Sequence, residues 1–119
     1  MKLKIAASCG AALLACALIA VGTPALAKTA RCVIKTSDGA PYQGPCKFQL
    51  DPGGTFTVTP IGRDVFFPEI LAISVEIDGD NTDVRGLTTA GINSSWGSAH
   101  RSTRDRACWV GADFSVCVY

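Results

Sequence analysis

Thr36-Ser37-Asp38-Gly39-Ala40-Pro41-Tyr42 puts a serine, an acid, a glycine and a tyrosine within a few residues of one another. Ser37-Asp38-Gly39 has the composition of a tight turn. Tyr42 behind it offers a rigid ring with a hydroxyl, a good anchor for a partner, and Ser37 and Asp38 supply hydrogen-bonding groups beside it. The plainer reading is a turn followed by a tyrosine on a strand. A second polar stretch runs from Trp96 to Arg106 and holds the sole histidine, His100. Ser98, His100 and Asp105 have the residue types of a hydrolytic triad, but no nucleophile-elbow pattern surrounds the serine, and the stretch reads as a solvated loop. Asp78, Asp80 and Asp83 suggest calcium, yet Asp83 and Thr89 stand where the twelve-residue calcium loop needs Gly and Glu. A polar turn fits better. Paired carboxylates, a phosphate-binding glycine loop and a nucleophilic cysteine are missing from the pattern, so the expectation is a protein that is not an enzyme and uses no cofactor or metal.

The elements that hold these residues begin with the first 27. Lys2 and Lys4 precede an apolar, alanine-rich run from Ile5 to Val21, which ends at Pro24 and Ala25-Leu26-Ala27. A basic start, an apolar stretch and an A-x-A site make a secretory signal peptide over residues 1–27. The remaining 92 residues, 28–119, form one expected secreted domain. Loss of the two lysines leaves nine basic residues against ten acidic, a formal −1. That balance gives no basic excess for a phosphate backbone, so no nucleic acid is expected as a partner. No later apolar run reaches the length of a membrane-spanning helix. A homodimer is left open.

A domain this small buries only roughly 60% of its unfolded surface and needs reinforcement. Cys32, Cys46, Cys108 and Cys117 are the cysteines beyond the leader, and four cysteines in a short exported chain suit a two-disulfide frame. Zinc is the rival, but there is no C-x-x-C spacing and only one histidine.

Apolar residues recur at every second position. Leu71, Ile73, Val75 and Ile77 alternate with small or polar residues; Phe56 and Val58 do so between threonines; Phe114, Val116 and Val118 do so at the C-terminus. Turn signals separate the runs at Ser37-Asp38-Gly39, Asp51-Pro52-Gly53-Gly54 and Asp78-Gly79-Asp80-Asn81. The expected fold is all-β, a small antiparallel β-barrel or flattened sandwich with two disulfides. A turn over Ala112-Asp113 sets Cys108 opposite Cys117 and Trp109 opposite Val116. A turn centred on Gly39 sets Cys32 opposite Cys46, on the face of Ile34, Phe48 and Leu50. These registers favour Cys32–Cys46 and Cys108–Cys117 over the other pairings.

With its Ser/Gly/Tyr loop on a small exported β-domain, the chain resembles the bacterial periplasmic inhibitors of c-type lysozyme. Those are small antiparallel β-barrels that insert an S-G-x-x-Y loop into the enzyme's cleft. Gly39 and Tyr42 match the Gly and Tyr of that motif in spacing; Asp38 stands before the glycine, and the serine is one place earlier, at Ser37. The resemblance implies a periplasmic inhibitor with c-type lysozyme as partner, Ser37, Asp38, Gly39 and Tyr42 as the binding residues, and Cys32–Cys46 bracing the loop. Acids such as Glu76, Asp78, Asp80 and Asp83 would steer a cationic enzyme weakly. The alternative is a non-catalytic envelope module that binds peptidoglycan or another periplasmic protein, through Trp96 or the basic stretch Arg101 to Arg106.

Overall fold

Period-two alternation carries through into nine strands in a computed structural model, which describes residues 26–119. They are β1 (Leu26–Thr36), β2 (Tyr42–Leu50), β3 (Phe56–Pro60), β4 (Ile70–Asp78), β5 (Asn81–Thr88), β6 (Asn93–Ser98), β7 (His100–Arg101), β8 (Cys108–Val110) and β9 (Phe114–Val118). One 3-10 turn at Pro52–Gly54 interrupts them. All neighbours are antiparallel, in the order β6-β5-β4-β3-β2-β1-β9-β8-β7, and the sheet curls into a nearly closed barrel. The strands at its two ends, β6 and β7, are separated in the chain only by Ala99. One run of backbone therefore pairs first with β5 and then with β8.

The inward positions fill the barrel. Ile34, Val58, Ile73, Val75, Val84 and Val116 are fully buried; Val58, Ile73, Val75 and Val116 come from the runs whose alternation is noted above. Gly79, at φ 62°, makes the two-residue turn that brings Asp78 opposite Asn81, a conformation that glycine adopts without steric cost.

Both expected disulfides form, Cys32–Cys46 and Cys108–Cys117. The β8–β9 register is as expected, with Cys108 opposite Cys117 and Trp109 opposite Val116. The β1–β2 register is not. Cys32 faces Gly44, and Cys46 faces Ala30, so the first disulfide runs diagonally across the pair with Cα atoms 5.8 Å apart. Pairing with β2 stops at Ile34 opposite Tyr42, where the next residue across, Pro41, has no N–H to offer, while Lys35 and Thr36 continue along the other edge of β1 with Ser115 and Phe114 of β9. A shift of two residues keeps every side chain on its own face, so both sulfurs still lie in the core.

The expected signal peptide lies outside the described residues except for Leu26 and Ala27. Those two begin β1 and are exposed. Two disulfides in so short a domain belong to an oxidising, non-cytoplasmic compartment. Among the described residues no helix is long and apolar enough to cross a membrane.

Candidate functional site

Three loops meet at one end of the barrel. The β1–β2 loop and the β8–β9 turn lie side by side because Thr36 pairs with Phe114. The β3–β4 loop reaches the same place from Pro60, and folds back through hydrogen bonds from Phe66 N–H to Ile70 O (2.8 Å) and from Ile70 N–H to Phe67 O (3.0 Å). Phe66 thereby turns inward and is only 2% exposed, although its segment has no strand periodicity.

Between these loops lies an open cavity of about 890 Å³, within the size range of small-molecule sites. Ser37, Asp38, Gly39 and Tyr42 all line it, and so does Trp96. The structure thus unites two features that the sequence treats as alternatives. The basic stretch Arg101 to Arg106 is elsewhere: it leads into β8 beside the far end of β9, where Val118 N–H donates to Ala107 O.

Tyr42 does not project as an anchor. It is 6% exposed, donates its hydroxyl to Pro45 O at 2.6 Å, and meets the Phe66 ring edge-on at 4.8 Å between centroids. The Arg63 guanidinium lies 5.5 Å from its ring centroid on the solvent side. Position in the strand explains the burial, since Tyr42 has the parity of Cys46. What projects is the tip from Ser37 to Pro41, which is exposed throughout. Thr36 Oγ1 accepts from Asp38 N–H at 3.4 Å within it, and the Cys32–Cys46 bond and the seated Tyr42 hold its base.

Trp96 owes its position to a β-bulge. Val84 pairs with Gly97 and Arg85 with Ser95, which leaves Trp96 as the extra residue in β6; bulges of this kind re-aim side chains next to binding sites. Gly97 takes φ 121° to permit it. The half-buried indole then meets the Phe114 ring at 5.7 Å between centroids.

A shared device seats the aromatic walls. A Cβ on Gly44 would stand 3.1 Å from the Tyr42 hydroxyl, one on Gly86 would stand 2.7 Å from the Trp96 indole nitrogen, and one on Gly111 would fall on the Phe114 ring. The Tyr42, Trp96 and Phe114 rings thus each lie against a glycine, and at Gly86 and Gly111 any other residue would displace the ring. The rim is polar: Asp38, Asp113 and Arg63 are exposed and belong to the same lining. Chemically the lining combines aromatic side chains with hydrogen-bond acceptors and a donor.

The other candidate groups do not assemble. Asp105 is taken by Tyr119, whose hydroxyl donates to it at 2.6 Å, and by Ala107 N–H at 3.1 Å. These two bonds, the Tyr119 one foremost, hold the Asp105 carboxyl below the usual carboxylate range. Asp83 forms an ion pair with Arg85 at 3.0 Å and accepts from Ser95 Oγ at 3.0 Å. Arg85 also reaches Glu76, at 3.5 Å, so two of the acids suited to steering are partly neutralised. Asp78 and Asp80 sit at the end of β4 away from Ile70, which lines the cavity.

Sequence reasoning passed over Arg63, Phe66, Asp113 and the seat glycines. The available signal was glycine inside a strand, at Gly44 and Gly86, which marks a close approach. No family model, curated protein or solved structure matches the chain.

Proposed function

We propose that the protein is a non-catalytic binding module of the bacterial envelope, acting in the periplasm on peptidoglycan or another periplasmic partner through the cavity at the loop end of the barrel. The observation that carries this reading is the meeting of the Ser37–Tyr42 loop and Trp96 in one aromatic-walled, polar-rimmed cavity. A concave site with preseated rings suits reception of a ligand. Pull-down of the folded 28–119 domain on purified peptidoglycan tests the reading. Retention above a domain carrying Trp96→Leu is the expected result, and equal retention of the two would count against it.

A second reading is inhibition of c-type lysozyme, favoured by the exposed tip Ser37–Pro41. Here Ser37, Asp38 and Gly39 enter the enzyme's cleft, and Tyr42 holds the tip from behind. The braced base lowers the ordering cost of insertion. Lysis of bacterial walls by c-type lysozyme, followed with excess domain present, tests it; undiminished lysis sinks it.

A further inference from the structure

We propose that the cavity receives a neutral sugar ring of a glycan chain, stacked on Trp96 and hydrogen-bonded by Asp38 and Asp113. This rests on the binding-module reading and names the ligand class of that site. A pyranose ring has an apolar C–H face and a circumference of hydroxyls that both donate and accept. The cavity has the matching division: Trp96 is half-buried and held by the bulge and by Gly86, while Asp38 and Asp113 can accept hydroxyl protons at the rim and Arg63 can donate.

Other ligand classes fit less well. Two carboxylates against one guanidinium repel an anion, since like charges cost free energy at short range. An acyl chain would bring no hydrogen-bonding partners to the three charged rim groups. The seat glycines add preorganisation, because rings fixed before binding lose little freedom on it.

Calorimetric titration of the folded domain with three oligosaccharides tests the proposal: a β-linked N-acetylglucosamine tetramer, a cellotetraose and a tetragalacturonate. Binding of at least one neutral tetramer is expected, with the acidic one at least about tenfold weaker. Trp96→Leu should lower affinity by about tenfold or more, as truncation of an aromatic anchor does. Asp113→Asn, at an exposed position that leaves folding intact, should weaken binding several-fold, and Arg104→Ala on the basic stretch should not alter it. Thermal melts verify that each variant is folded. Binding of neither neutral tetramer overturns the proposal, as does unchanged affinity in Asp113→Asn together with Trp96→Leu. If peptidoglycan pull-down still succeeds in that case, only the sugar assignment fails; if it fails too, the binding-module reading falls with it.

Discussion

Trp96 occupies the space that a side chain at Gly86 would take, with its indole nitrogen 2.7 Å from where the Cβ would stand. The two residues lie on adjacent strands, and the glycine lets the ring sit flat against β5. Gly86→Ala therefore forces the indole to move. Overpacking of this kind costs about 1–3 kcal/mol, offset in part by about 0.4–1 kcal/mol from a stiffer unfolded chain. A net loss of about 1–2 kcal/mol in urea unfolding is expected, along with a changed tryptophan emission spectrum in the folded state. Unaltered stability and emission would show that the seat is not needed.

The strands were legible because alternation survives in short runs. Phe56, Val58, Ile73 and Val75 are buried in the structure as their spacing requires. The β8–β9 register was legible because a two-residue turn leaves little freedom. The β1–β2 register was not, because the pairing stops at Ile34 opposite Tyr42 and leaves residues 35–41 as a long loop, which fixes register far less than a two-residue turn does. The buried face of Tyr42 could have been read from its parity with Cys46 and Phe48. The cavity floor could not: Phe66 sits in a loop without period, and only the turn back to Ile70 aims it inward.

The diagonal Cys32–Cys46 bond closes the hairpin that carries the tip. In the chain-entropy model a cross-link of 14 residues contributes about 3 kcal/mol. The double variant Cys32→Ala/Cys46→Ala should lose at least that much in denaturant unfolding, with an added cost for the space left by two fully buried sulfurs. Peptide mapping of the native protein without reductant should recover Cys32 joined to Cys46 and Cys108 to Cys117. A peptide joining Cys32 to Cys117 would overturn the pairing.

Asp105 and Tyr119 form a pH-dependent clasp at the C-terminus. The carboxyl is held below its ordinary 3.8, first by the Tyr119 hydroxyl and then by Ala107 N–H. Its contribution is thus fully present above about that pH and is lost as the pH falls through the lower folded value. Tyr119 is shifted the other way, raised above 10.0 chiefly by its bond to Asp105. Its contribution is present below 10.0 and disappears as the pH rises through the folded value. Asp105→Asn should bring the Tyr119 ionisation down, as read by tyrosinate absorbance in a Tyr42→Phe background. An unmoved titration would mean that the bond is not populated in solution.

Tyr42 and Asp38 separate holding the loop from touching a partner. Tyr42→Phe keeps the ring against Phe66 and removes only the bond to Pro45 O, an expected loss of about 0.5–1.5 kcal/mol of stability. Tyr42→Ala empties a buried site beside the core, and about 3–5 kcal/mol is expected by analogy with buried Phe truncations. Asp38→Ala, on the exposed tip, should leave stability within about 0.5 kcal/mol of the parent. If the tip contacts the partner, Asp38→Ala weakens binding while Tyr42→Phe leaves it nearly intact. The pair is to be measured against whichever partner binds, peptidoglycan or c-type lysozyme, with urea unfolding in parallel. The opposite ranking, with Tyr42→Phe abolishing binding in a stable protein and Asp38→Ala without effect, would make the buried hydroxyl a contact and refute its role as a brace.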